Sequence, residues 1–458
     1  MLEEQLAAQW SYGLPNPAHY PGWHANIWPL FVYLTGLTCG IIAVNCREKY
    51  RLYLVLAFCT TGIEILRYVS GMTLTYAIKD TLLKGIIIQC MGAVVMVLRE
   101  GFVLTEEQKR LPWLQRAHAT YKIAWNSRFI NTARQAPVYH LIKDQDGKRH
   151  VASAVIEKRK ELAEREAQKA STKNDRKDNE VAQVANAPNK KAAAELSKRL
   201  GIYALKIWRN RRLRWMLETV CRILLIILVD NTKDLAVDRY LGYVWTDVDG
   251  YKTAIVRRFL RGDPIEPREF WVRVYFAFES VWSAYNWYNR LHLLCALYFV
   301  GLRIDEPEEW PHMFGDIRQA WSIRRFWSKY FDRLIYRTVC GTGEMMMEAV
   351  WLGKAPFTGK KRWLLNCLVF TISGFFHAYT DYLAGITCGF WTEVFTWVGN
   401  FLIIVFEVVF LYCLKTHCPR VYHALSGKIG KTIGFIWGFS WLWWVCPKSQ
   451  FTTLRCMP

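Results

Sequence analysis

The stretch Asn366–Ile386, NCLVFTISGFFHAYTDYLAGI, decides how the chain is read. It is mostly apolar and long enough to cross a bilayer, since about 20 residues rising about 1.5 Å each span a hydrocarbon core of about 30 Å. His377 lies eleven residues from one end and nine from the other, so the reading places it at membrane depth. An ionisable group there is costly and marks a functional hypothesis. Ser373, His377 and Asp381 recur at steps of four and share a helical face. The spacing lets Asp381 hold one imidazole nitrogen and leave the other free as a base. The alternative is a structural histidine that hydrogen-bonds a neighbouring helix.

Working outward, the 458-residue chain alternates apolar runs with basic stretches, which is the pattern of a multi-pass membrane protein. Hydrophobic residues make up 52%, and 22 Trp and 23 Tyr suit interfacial belts or pockets within a bundle. The formal charge of +21 sits between the apolar runs, where positive-inside topology accounts for it, so nucleic acid is not a partner. The 13 Cys are scattered without a CxxC pair or a zinc-like spacing, and are expected to be small buried residues rather than a disulfide framework or metal site. No bound cofactor is expected.

Residues 1–26, broken by Pro15, Pro17 and Pro21, read as a non-cytoplasmic lead-in. Three spans follow within 27–98: Ile27–Val44, Leu52–Val69 and Thr81–Leu98. Glu64 and Arg67 are expected to pair inside the bundle. Residues 99–214 form a basic insert with about 27 Lys and Arg against about 13 Asp and Glu, placed in the cytoplasm by charge. Its part near 165–195 is expected to be disordered. The region 215–458 carries the remaining spans, near 216–229, 267–302, 366–386, 391–414 and 433–445. Asp230, Asp234, Asp238, Asp247 and Asp249 read as an acidic loop on the far side. His292 reads as structural, with no second titratable group on its face. The expected fold is all-α, with about eight transmembrane helices plus interfacial amphipathic ones.

One such amphipathic helix is Gly315–Arg337, GDIRQAWSIRRFWSKYFDRLIYR. Trp327, Tyr330, Phe331 and Leu334 lie on one side, and Arg325, Ser328, Lys329, Asp332 and Arg333 largely on the other. Its basic face suits the phosphates of a large anionic substrate, or lipid headgroups.

This segment and SGFFHAYTDY, about 45 residues later, together resemble the membrane-bound O-acyltransferases, and among them the wax-synthase-like branch. Pro311 and Phe314-Gly315 resemble that branch's lead. Phe326, Trp327 and Arg337 match its first signature, and Ser373, Gly374 and His377 its second. Trp125–Pro137 faintly resembles the segment after the family's early spans. Asp332 stands where the family has histidine or asparagine, Phe331 where it has tryptophan, and Ala378 where an acidic residue often follows the histidine. An ionised Asp332 can accept and orient but cannot donate a hydrogen bond. The general character is similar to fungal members that acetylate secondary metabolites.

What the resemblance implies is acyl transfer from acyl-CoA, with acetyl-CoA the expected donor, to a hydroxyl of a hydrophobic acceptor such as a terpenoid. His377 and Asp332 are the expected catalytic residues. Trp327, Arg325, Arg333, Arg337, Ser373 and Asp381 are the expected substrate-binding residues. A long-chain wax or sterol ester synthase is the near alternative. A non-catalytic, transporter-like membrane protein is the distant one, although neither internal repeats nor matched broken helices are evident. The expected location is the endoplasmic reticulum.

Overall fold

A computed structural model of the chain describes residues 23–69, 71–72, 74–124, 210–331, 335–350, 353, 355–425 and 427–456. Among these residues there is no strand. In order, the helices used below are α1 (Trp23–Asn45), α2 (Glu48–Val69), α3 (Tyr76–Ala93, widening into a π-helical turn Val94–Arg99), α4 (Trp113–Ala124), α5 (Arg211–Tyr240), α6 (Pro267–Gly301), α7 (Tyr336–Ala349), α8 (Gly359–Leu383), α9 (Phe390–His417) and α10 (Lys428–Cys456).

All but α4 and α7 have at least 18 residues, and each expected span overlaps one of them, with 267–302 and 366–386 running past the ends of α6 and α8. Four stretches are long and apolar enough to cross a membrane: Ile27–Asn45, Glu48–Val69, Tyr76–Arg99 and Phe390–His417. The His377 helix, α8, is not among them. Its first turn carries Lys360, Lys361 and Arg362, and its apolar run is interrupted by Ser373, His377, Thr380 and Asp381. Such a helix hides polar groups against its neighbours instead of presenting an apolar surface all round.

The chain divides into two units, one of residues 1–128, 235–285 and 314–458, the other of residues 129–234 and 286–313. In the first, α1 and α2 form a hairpin in which Gly36 and Gly40 face Thr61 and Phe58. Small residues one turn apart let two backbones approach closely, which is how membrane helices gain packing without a hydrophobic driving force. Ile65, Leu66 and Val69 of α2, Leu83 of α3, and Tyr382 and Leu383 of α8 form one buried cluster. At the other end of α3, Arg99 pairs with Glu344 and Glu348 of α7, at 2.5 and 3.1 Å. Residues 99–124, within the expected insert, are ordered here: Leu104 N–H donates to Val44 O (3.2 Å), and Asn45 donates to Thr120 of α4 (3.1 Å).

In the second unit, Arg212 donates to Val300 O (2.7 Å) and pairs with Glu306. His292 Nε2 lies 3.1 Å from Pro311 O, and its ring packs on Trp310. That is the tethered, structural histidine its sequence suggests.

Four expectations need correction. The acidic residues after the fourth span are not all in a loop: α5 continues to Tyr240 and takes up Asp230, Asp234 and Asp238, with Lys233 pairing to Asp230 and Asp234. Glu64 and Arg67 do pair, at 2.9 Å, but Arg67 is 58% exposed, so the pair sits on the outer surface of α2. Cys388 and Cys456 form a disulfide, because the end of α10 returns to the turn between α8 and α9. A linear reading of cysteine spacing could not bring residues 68 apart together. The other eleven cysteines form no disulfide among the described residues.

Last, 315–337 is not one amphipathic helix. It breaks into a 3-10 turn (Ile317–Gln319), a single α turn (Ile323–Arg325) and a π turn (Phe326–Tyr330). Gly315 N–H donates to Tyr330 O (2.7 Å), which folds the segment back on itself. Buried Glu407 of α9 accepts the N–H groups of Ile323 and Arg324, at 3.0 and 3.1 Å, and so caps the α turn from outside. The aromatic side packs among other rings, where Phe331 contacts Phe314, Phe326 and Trp327.

Candidate active site

His377 sits on α8 one turn after Ser373, which is buried. The helix is pressed against α9 at Gly374. A Cβ there would lie 3.1 Å from Trp397 Cβ and from Val394 O, and 3.2 Å from Val394 Cα. The missing side chain lets Trp397 reach His377: the two rings stack at 4.4 Å between centroids and 14° between planes. Phe376 meets the imidazole edge-on at 5.3 Å. The ring is half-buried, and its nitrogens form no hydrogen bond among the described residues.

Around this pair lies a shell of polar groups drawn from distant parts of the chain. Trp397 Nε1–H donates to Glu393 Oε1 (2.8 Å), one turn earlier on α9, and Ser449 of α10 donates to the other carboxylate oxygen. Tyr76 of α3 donates to Asp381 Oδ1 (2.8 Å). One and two turns along α3, Asp80 and Lys84 pair at 2.7 Å, and Asp80 Oδ1 is buried with no hydrogen-bond partner among the described residues. Lys84 is within electrostatic range of both His377 and Asp381. The expected His377–Asp381 dyad is therefore not formed. The shared helical face is real, but among the described residues Asp381 Oδ1 accepts from the Tyr76 hydroxyl and not from the imidazole that it was expected to hold.

Trp327 belongs to the same cluster. Its ring lies 5.1 Å from Trp397 and 5.7 Å from Phe370 of α8, so the two sequence signatures meet through Trp397. Buried Asn400 accepts both Trp327 Nε1–H (3.3 Å) and Trp441 Nε1–H of α10 (2.9 Å). Arg325 stacks on Trp321, its guanidinium carbon 4.6 Å from the ring centre, and donates to Gln319 O (2.9 Å). Arg337 lies over Tyr336 in the first turn of α7. Asp332 and Arg333 lie outside the described residues, as do 1–22 and 125–209, which hold the lead-in, Trp125–Pro137 and the segment near 165–195.

Sequence reasoning missed Glu393, Trp397, Asn400, Tyr76, Asp80, Lys84 and Ser449. Two signals were present. Glu393, Trp397, Asn400 and Glu407 recur at steps of four, three and seven along α9, a polar stripe in an otherwise apolar helix. Tyr76, Asp80 and Lys84 recur at steps of four on α3.

Outside the apolar helices, the charges are arranged structurally. Buried Asp247 receives Arg268 Nη2–H (2.7 Å) and Nε–H (2.9 Å), and these hydrogen bonds hold its carboxyl below the usual carboxylate range despite its burial. Arg258 and Arg273 both bind the buried Glu269.

An all-helical membrane protein with a half-buried histidine enclosed by paired charges is the class that this fold and site define. Residues 310–398 match the Membrane bound O-acyl transferase family. It is 27% identical over 176 residues to the Acetyltransferase ataH of Aspergillus terreus, covering 37% of this chain and 55% of that protein. It is 25% identical over 166 residues to the Acetyltransferase spyB of Aspergillus fumigatus, covering 33% and 28%. An Uncharacterized membrane protein of Schizosaccharomyces pombe is 27% identical over 175 residues, covering 38% and 45%. The chain thus spans little more than half, or less, of the curated relatives it matches. No solved structure matches it.

Proposed function

We propose that the protein transfers an acetyl group from acetyl-CoA to a hydroxyl of a hydrophobic acceptor of the terpenoid kind, with His377 as general base. The observation that carries this reading is the imidazole whose nitrogens have no hydrogen-bond partner among the described residues, inside the segment that matches an acyltransferase family. The relatives named acetyltransferases favour a short donor over the long-chain alternative.

An alcohol is a weak nucleophile until a base takes its proton. The hydroxyl proton passes to His377 as the oxygen attacks the thioester carbonyl. The tetrahedral oxyanion then collapses, the carbon–sulfur bond breaks, and the departing thiolate takes the proton back from the imidazolium. The products are an ester and free CoA, and no covalent acyl-enzyme is needed. The ammonium of Lys84, close enough to act electrostatically on His377, is proposed to favour the negative charge that develops. A positioned base supplies about 10²–10⁴-fold, and alignment of the two substrates supplies much of the rest.

In this reading the chain crosses the membrane eight times, in the endoplasmic reticulum, with the thioester entering from the cytoplasmic side and the acceptor from the lipid. The Cys388–Cys456 bridge then lies on the oxidising side, where disulfides persist. Asp332 is proposed as the second catalytic residue, orienting a reacting group, and Arg325, Arg333 and Arg337 as residues that bind the CoA portion.

The test is acyl transfer by membranes holding wild type or His377→Ala at equal expression, with labelled acetyl-CoA or a long-chain acyl-CoA and a panel of terpenoid and fatty alcohols. Transfer from acetyl-CoA that disappears in the variant is the expected result. Equal transfer by both would remove His377 from the chemistry.

A further inference from the structure

We infer that Trp397, held by Glu393, is the positioning residue that fixes the plane of the His377 ring. The inference rests on the reading of His377 as the base. A histidine side chain has two free torsions, and catalytic imidazoles are usually oriented by a hydrogen bond to one ring nitrogen. Here no such bond exists among the described residues, and Asp381, on the same helical face, accepts from Tyr76. The restraint is instead the ring face, stacked on Trp397 at 4.4 Å and 14°. Stacking constrains the plane without engaging either ring nitrogen. A base that must first accept a proton and then return it benefits from that freedom.

The indole is itself fixed on three sides. Its Nε1–H is donated to Glu393 (2.8 Å), whose second oxygen is bound by Ser449. Trp327 contacts it at 5.1 Å. Gly374 leaves room for its Cβ, at 3.1 Å from where a glycine Cβ would stand. Helices α8, α9 and α10 and the signature segment at 326–330 thus converge on one ring. Ser449 lies outside the matched segment 310–398. A misplacement of about 1 Å at a reacting group costs about 10²-fold, so the value of a fixed ring is large.

The test uses the full chain in membranes, with Trp397→Ala, Trp397→Phe and Glu393→Gln beside wild type, and two readouts. The first is the rate at which diethyl pyrocarbonate carbethoxylates His377, followed by mass spectrometry without substrate. Loss of an aromatic stack predicts labelling about three- to tenfold faster in Trp397→Ala, with Trp397→Phe and Glu393→Gln near wild type. The second is acetyl transfer: in Trp397→Ala, kcat falls about ten- to a hundredfold while the KM for acetyl-CoA changes less than about threefold, and Trp397→Phe recovers most of kcat. Equal labelling of Trp397→Ala and wild type would overturn the inference, as would wild-type kcat in a variant that labels faster. If wild type itself transfers nothing, the function reading fails, and the labelling rates still decide whether Trp397 holds the ring. Trp397→Phe, which keeps a flat ring, guards against misfolding of the alanine variant.

Discussion

Gly374→Ala is expected to destabilise the protein, although alanine is the better helix former. In an exposed helix interior the exchange would gain up to about 1 kcal/mol. At 374 the new methyl would stand 3.1 Å from a carbonyl oxygen and from a Cβ, and 3.2 Å from a Cα. Two of those atoms are backbone, so no rotamer change relieves the contact. Helices α8 and α9 must part by a few tenths of an ångström along a packed interface. Overpacking of this kind costs about 1–3 kcal/mol, which exceeds the propensity gain, and Gly374→Val should cost more. Gly85 is the internal control: it lies within α3, and a Cβ there meets nothing within 4 Å. The assay is reversible unfolding of the purified protein in mild detergent. Gly85→Ala is expected at or above wild-type stability, and Gly374→Ala about 1–2 kcal/mol below it. If the two variants behave alike, the close approach of α8 to α9 at this glycine is wrong, and the geometry of the His377–Trp397 stack with it.

Two further outcomes are expected. Glu407→Ala removes the acceptor of two N–H groups at the start of the 323–325 turn and should cost about 1.5–3 kcal/mol, with Glu407→Gln intermediate. Limited proteolysis near 315–330 checks this, and cleavage no faster than in wild type would refute the cap. Asp247 is held below its ordinary range by Arg268, so its stabilisation is fully present above the unfolded carboxylate pKa and is lost as pH falls through the lower folded value. Asp247→Asn should therefore narrow the stability difference from wild type as pH drops below about 4, measured as unfolding midpoints between about pH 7 and pH 3. An unchanged difference across that range would show that the ion pair contributes nothing.

The sequence was most legible where one helix could be read alone. Period and length located the long helices, and one residue type at depth located His377. What stayed hidden were relations between elements. Asp381 lies at the right step from His377, yet its partner is Tyr76, 305 residues earlier. The aromatic face at 327–331 has helical periodicity, but Gly315 and Glu407 bend that backbone into short turns. Cys388 and Cys456 carry no spacing signal at all. The stripe Glu393, Trp397, Asn400 and Glu407 was visible, and an acidic residue at membrane depth should have been weighed as heavily as the histidine.

That stripe bears on why the chemistry falls on one group. Polar side chains inside a bundle are tolerated when each has a partner. Here Lys84 has Asp80, Asp381 has Tyr76, Glu393 has Trp397 and Ser449, and Asn400 has two indoles. Among the described residues of this cluster, the His377 ring nitrogens and the buried Asp80 Oδ1 have no hydrogen-bond partner. A carboxylate oxygen accepts a hydrogen bond, and so does the unprotonated nitrogen of a neutral imidazole. The other imidazole nitrogen carries an N–H, so the site offers a donor beside these acceptors, and an alcohol, which gives one hydrogen bond through its O–H and accepts others at its oxygen, can meet both.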